Sequence, residues 1–397
     1  MSEASALISP TAFQPEPGSV DSPFAAPLPA QAKPTHTPYP TPRIPSEYLP
    51  TTVPLPGPAS GENKPAIISL NNPLTGLPVT DPALLSRRPI AIKIANSPDY
   101  IRPQSGLSLA DVVFEYYIEW GDTRFIAVFF GNEAPRAGPV RSGRYFDEHV
   151  ARMYHAYYVF KGADDREFNY FKQTDLQNFL VDLRWLEFPC SPYEVGNRKI
   201  EEYNNIFFNT IRFTECLKRK NLDNKQQVLR SNFFSDQPTS GTQAANRIYT
   251  AYSAYSYNYW EYDPQMRKYF RYQEANDLIK NRTAAYTPLK DLLTGLVVSA
   301  DNVVVLFVPH TFANSFDQED EVYHIDLIDS GEAFVFRDGG VIPAQWYRTD
   351  VDQPLLLAST NGTPIYLKPG VTFYQVIGET STLTQSGDSW HFGFLTP

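Results

Sequence analysis

The sequence predicts an α+β protein, a mixed α/β N-terminal domain followed by a β-rich C-terminal domain. Three observations carry that prediction. Up to about residue 235, apolar runs of strand length alternate with segments of helical period. Beyond it, short β-branched and aromatic runs recur between turn residues such as "RDGG" and "TNGT". Ahead of both, residues 1–65 hold 16 of the 35 prolines and no apolar periodicity, so they cannot bury a core. The expected organisation is a disordered Pro/Thr/Ser-rich spacer over 1–65, a mixed domain over 66–235 and a β-rich domain over 236–397. A chain of 397 residues is long enough for two folded domains and a tail.

Folded sequence starts near "NNPLTGLPV" (71–79). "RPIAIKIAN" (88–96) reads as a short buried strand, and "ADVVFEYYIEWGDTRFIAVFFG" (110–131) as two strands joined around Gly121–Asp122. A helix is expected from about Ser142, whose side chain can cap it. Phe146, Val150, Met153 and Tyr157 follow at spacings of four, three and four. The strand "AYYVFKG" (156–162) comes next, and "EVGNRKIEEYNNIFFNTIRFTECLKRK" (194–220) predicts a long helix. In the second domain, "IYTAYSAYSYNYWEYDPQMRKYFRY" (248–272) reads as a hairpin turning near Asp263–Pro264, its tyrosines lining a half-buried strand face. Strands are expected over 302–308, 321–328, 333–340, 342–348, 363–370 and 371–377.

Composition excludes several function classes. With a formal net charge of −10, a pI of about 5.2 and no long Lys/Arg run, no nucleic-acid binding is expected, because the phosphate backbone repels such a chain. There is no stretch of about 18 apolar residues to form a transmembrane helix. The six histidines form no H-x-x-x-H pair, and no metal or cofactor is implied. Cys190 and Cys216 are either one disulfide or two buried thiols. The chain has neither a P-loop nor a dinucleotide fingerprint, and Ser105 and Ser142 lie in no G-x-S-x-G elbow.

Polar residues of the first domain fall in a few segments. In "RPQSG", Pro103 fixes its own φ and Gly106 permits a conformation closed to other residues. Asp111 can bond nearby backbone. In "GPVRSGR", Arg141 and Arg144 flank the expected start of a helix, where an anion can be held. Asp147 and Glu148 stand ready to pair with those arginines instead. Glu115 and Glu119 lie four apart, so in one strand they share a face and form a carboxylate group with Asp122 near the bend. The reading preferred for these carboxylates is pairing with Arg102, Arg124 or the helix arginines in a buried or rim ion network, with general acid/base work as the alternative.

"NPLTGLPV", "RPIAIKIANSPDYIRPQSGLSLADVVFEYYIEWGDTRFIAVFF" and "GPVRSGRYFDEH" occur in that order, followed by "DNVVVLFVP", "GEAFVFRDGGVIPAQWYR" and "NGTPIYLKPGVTFYQVI". Together they resemble the YerB-like family of bacterial lipoproteins, which carries a two-part domain of unknown function. The resemblance covers roughly residues 70–380. It implies an extracytoplasmic location in the cell envelope, with a lipidated cysteine as anchor. "MSEASALISP" has no basic-then-apolar run and no cysteine precedes residue 66, so membrane contact is expected only through a lipid anchor missing from this chain. The family's turn after the first helix and its strand is His/Gly/Ser-rich; here it holds Lys161 and Gly162.

Three functional readings follow. The first is a non-catalytic binding module for an anionic or cell-envelope ligand, held by Arg102, Gln104, Ser105, Arg124, Arg141, Ser142 and Arg144. The second is a structural envelope protein whose β-rich domain docks a partner protein. The third is an envelope hydrolase using paired carboxylates among Glu115, Glu119 and Asp122.

Overall fold

The computed structural model describes residues 71–313 and 321–395; the spacer expected over 1–65 lies outside the described residues. The first half runs β1 (Ile90–Ala95), β2 (Val112–Tyr117), β3 (Thr123–Phe129), α1 (Phe146–Met153), β4 (Tyr157–Val159), α2 (Asp165–Gln173), β5 (Leu180–Val181), β6 (Tyr193–Val195), β7 (Ile206–Phe208), α3 (Thr210–Arg219) and β8 (Phe233–Phe234). The second half is β-rich: β9 (Gln243–Ala244), β10 (Arg247–Ala251), β11 (Tyr257–Asp263), β12 (Lys268–Glu274), β13 (Tyr286–Pro288), β14 (Ser299–Ala300), β15 (Asn302–Val308), β16 (His310–Phe312) and β17 (Tyr323–Ile325). It continues with β18 (Asp329–Arg337), β19 (Gly340–Arg348), β20 (Leu356–Ala358), β21 (Tyr366–Leu367), β22 (Thr372–Gly378), β23 (Thr382–Ser386) and β24 (Ser389–Gly393). The fold is α+β.

Both halves build one mixed sheet, in the order β20-β19-β18-β15-β22-β2-β3-β1-β4-β5. Its seam is the parallel pairing of β22 with β2, where Glu115 lies opposite Gln375. Every residue of β1, β2, β15 and β22 is buried, which is why these segments read as unbroken apolar runs rather than as alternations. On one face, Phe146 of α1 packs against Phe114 and Tyr116. On the other lies a second sheet, β13-β12-β11-β10-β24-β23, whose Trp260 meets Phe373 at 4.8 Å.

Arg271 of β12 enters between the two sheets and ion-pairs with Glu115 of β2 at 2.8 Å, both side chains sealed from water. Asn96 and Thr123 also donate to that carboxylate, at 3.2 and 3.0 Å. A polar clamp in a dry core thus ties the first half to the second. On the helix side, Lys93 pairs with Asp147 at 3.0 Å, and the hydroxyls of Tyr116 and Tyr158 donate to the same carboxylate at 2.5 and 2.6 Å.

The structure corrects several local expectations. Helix α1 starts at Phe146, and its cap residue is Tyr145 rather than Ser142; Asp147 reaches back to accept from Arg144 N at 2.8 Å. Asp147 and Glu148 do not neutralise Arg141 or Arg144, because Lys93 and Arg152 hold them. The helix expected over 194–220 is only α3, preceded by the β6–β7 pair. Ile206–Phe208 is taken up by strand pairing, and Asn209 then caps α3 by accepting from Arg212 N at 2.9 Å. Residues 248–272 form three strands, β10, β11 and β12. The expected turn is in place: Asp263 accepts from Gln265 N and Met266 N at 2.7 and 3.0 Å. Tyr249, Tyr259 and Tyr272 form a row on the outer face with His391, ring stacked on ring, as a half-buried strand face requires. Cys190 and Cys216 are joined as a disulfide, with Cα atoms 5.4 Å apart.

Candidate functional site: a cleft between the halves

A cleft of about 1080 Å³ opens where four chain turns meet. Its walls are the 97–102 segment, the β2–β3 turn, the β10–β11 turn and the stretch after β12, closed at one end by Phe394 and Leu395. The β2–β3 turn is set by Trp120 and Gly121, both at positive φ. A Cβ on Gly121 would lie 3.0–3.1 Å from the ring of Tyr255 and the hydroxyl of Ser253, so glycine is required there twice over. Ser253 also donates to the Gly121 carbonyl at 2.6 Å, locking the two turns together. Trp120 N donates to Glu321 at 2.6 Å, and the hydroxyls of Tyr117 and Tyr323 donate to the same carboxylate at 2.8 Å. The backbone under Trp120 is therefore fixed, yet Trp120 stands 57% exposed, and Tyr255, whose ring lies over Gly121, is 45% exposed.

Charge in the cleft leans negative. Glu274 is matched by Arg102 and Asp277 by Arg282, which leaves Asp99, Asp122 and Glu321 without an ion pair among the described residues. Burial raises the Asp122 carboxyl above its usual range, against a hydrogen bond from Ser97 and the pull of Arg124, Arg141 and Arg102.

The residues singled out from the sequence scatter between this cleft and the frame behind it. Arg102 lines the cleft, but its guanidinium is held by Glu274 and by the carbonyls of Asn96 and Glu274 at 3.0 and 3.2 Å. Gln104 and Ser105 are each 1% exposed, so they offer no surface; they bond the Ala95 and Arg136 carbonyls at 3.1 and 2.7 Å. Arg124 donates to the Ser142 carbonyl at 2.8 Å, and Arg144 clamps Glu119 through Nε at 2.7 Å. Arg141 makes no ion pair among the described residues. The alternative carboxylate group of Glu115, Glu119 and Asp122 is not assembled: strand β2 ends at Tyr117, Glu115 is sealed in the core with Arg271, and Glu119 is held by Arg144, a helix arginine.

Two sequence comparisons decide the family. Residues 74–223 match the N-terminal domain, and residues 248–374 the C-terminal domain, of a protein of unknown function, DUF3048. The chain belongs to the DUF3048 family. It is 25% identical over 313 residues to "Putative lipoprotein YerB" of Bacillus subtilis (strain 168), covering 78% of this chain and 86% of that protein. The crystal structure of YerB protein from Bacillus subtilis superposes with a TM-score of 0.63 at 24% identity, covering 78% of this chain and 96% of that one, a likeness of fold.

In this DUF3048 protein, α2 carries one carboxylate that the fold leaves poorly served. Glu167 is buried and neither oxygen accepts a hydrogen bond; Arg144 stands 3.6 Å away. Burial, opposed by Arg144, pushes its carboxyl up to about 7. The folded state thus holds a proton that the unfolded chain releases near pH 4.5, so stability is lost as pH rises between those values. Glu167→Gln lacks that loss. Its thermal midpoint relative to wild type should rise between about pH 5 and about pH 8, measured by circular dichroism. A difference that does not change with pH would show that this carboxyl titrates normally.

Trp120, Tyr255 and Lys161 were not among the sequence candidates. For Trp120 a signal was present: a bulky aromatic directly before the glycine of a tight turn has no core to enter.

Proposed function

We propose that this protein is an extracytoplasmic binding protein of the cell envelope, and that the cleft holds a sugar-bearing envelope ligand. The observation that carries the reading is the pair of exposed rings, Trp120 and Tyr255, on a rigid wall of a cleft of about 1080 Å³. Ligand sites are largely pre-formed and apolar with a few placed polar groups, and this volume suits a ligand of several rings. Pyranose faces stack on aromatic rings, while Asp99, Asp122 and Asn276 in the cleft offer hydrogen bonds to hydroxyls. A polyanion is a poor match for this wall, given its surplus of carboxylates. The disulfide and the lipoprotein relative support an oxidising location outside the cytoplasm.

Titration of the full chain with N-acetylglucosamine oligomers and muropeptides, followed by tryptophan fluorescence and calorimetry, tests the reading. Trp120→Ala and Tyr255→Ala should each weaken binding about tenfold without loss of fold. Affinity unchanged in both variants would remove the cleft as the site.

A further inference from the structure

We propose that Arg141 and Lys161, with Arg124 behind them, form a second site that binds phosphate or a phosphate ester. It adjoins the cleft at Asp122 but does not rest on the cleft reading.

The backbone brings the two cations together. Arg141 N bonds the Lys93 carbonyl at 3.0 Å, and Lys161, leaving β4, bonds the Arg141 carbonyl at 2.9 Å. Both side chains therefore emerge at the same end of the sheet, and both are half-buried. Among the described residues neither has an ion pair or a side-chain hydrogen bond; what they share is the ring of Tyr203, at 5.9 Å from the Arg141 guanidinium and 5.0 Å from the Lys161 ammonium. Arg141 Nε is fully enclosed and has no acceptor.

Arg124 adds a third charge. Its nearest carboxylate is Glu119 at 3.8 Å, and that group is already clamped by Arg144. Arg87, Arg88, Arg102 and Arg152 of this half are matched by Glu133, Asp223, Glu274 and Glu148, and half-buried Arg198 donates to the Ile101 and Tyr100 carbonyls at 2.5 and 2.6 Å. Burial lowers the affinity of both Arg141 and Lys161 for their protons; neighbouring cations lower it further, opposed at Arg141 by Asp122 and by the hydroxyls of Tyr203 and Tyr100. Half-buried like charges without an acceptor are costly by themselves, and an oxyanion between them removes both the repulsion and the orphan donors. A guanidinium fork beside an ammonium suits the several acceptor oxygens of a phosphate group.

The test uses the full chain at low ionic strength, with wild type, Arg141→Gln, Lys161→Gln, the double variant and Arg102→Gln. Inorganic phosphate and glycerol 3-phosphate are titrated by calorimetry, with phosphorus NMR line broadening as a second readout and glucuronate as the carboxylate arm. Phosphate should bind wild type and Arg102→Gln alike, and Arg141→Gln or Lys161→Gln about tenfold or more weaker. Tighter binding of glycerol 3-phosphate would identify an esterified phosphate as the natural group, and equal binding free phosphate. Without anion, Lys161→Gln should melt at or above the wild-type temperature, because a repulsion has gone. If the double variant does not fold, line broadening with wild type and each single variant still decides. Absence of phosphate binding to wild type, preference for glucuronate, or equal binding to the single variants would overturn the proposal. Because Arg102 lines the cleft and Lys161 does not, failure here and failure of the cleft reading are separable.

Discussion

Arg271→Met is expected to destabilise the protein by about 3–5 kcal/mol, the loss that follows when one partner of a buried ion pair is removed. Glu115 would be left without its cation between two sheets, with only Asn96, Thr123 and weak amide contacts to serve it. Gln273, which accepts from Arg271 at 2.6 and 3.0 Å, would also lose its donor. Removing both charges, as in Arg271→Met with Glu115→Leu, should recover part of the loss but not all, because the amides and Thr123 gathered round Glu115 then lack an acceptor. Urea unfolding of the two single variants and the double variant gives the coupling energy directly. The position of the pair gives the result a further meaning. Glu115 lies in the first half and Arg271 in the second, on the two facing sheets, so a large coupling energy shows that the halves stabilise one another across the layer between those sheets. A loss of a few tenths of a kcal/mol would mean that the clamp holds nothing together.

Removing the disulfide should have the next largest effect. Cys190 and Cys216 are separated by 26 residues, and closing a loop of that length limits the unfolded chain by about 3.5 kcal/mol on the chain-entropy estimate. Cys216 is buried on α3 beside the first-half core, while neither cysteine touches the cleft. Cys190→Ala with Cys216→Ala, or reduction of wild type, should therefore lower the unfolding free energy by about 3 kcal/mol and leave ligand affinity alone. Equal stability of oxidised and reduced protein would contradict this.

Much of the fold is legible in the sequence where local pattern and burial agree. Strands β1, β2, β3, β15 and β22 announce themselves because a strand buried on both faces must be apolar throughout. The helix expected over 194–220 fails for the opposite reason. Apolar residues at 206–208 satisfy a helical stripe equally well, and only pairing with β6, a tertiary fact, makes them a strand. The shared sheet has no local signature at all, since Glu115 meets Gln375 across 260 positions of sequence. Alternation along β12 does put Tyr269, Arg271 and Gln273 on one face, but sequence alone does not say that this polar face points inward. The first-half arginines were visible as a cluster. Which of them stay unmatched depends on Glu119, Glu274 and Glu148, placed by the fold. The cleft itself draws a wall from each half, so no single segment could reveal it.

Hydroxyl-radical footprinting of the full chain, with and without a muropeptide mixture, tests the central claim that the cleft is the ligand site. It reports each aromatic side chain separately. Trp120 and Tyr255 should be protected by the ligand, while the outer row of Tyr249, Tyr259 and Tyr272 stays as reactive as before. Protection of that outer row with Trp120 unchanged would contradict the account and move the binding surface to the opposite face of the second sheet.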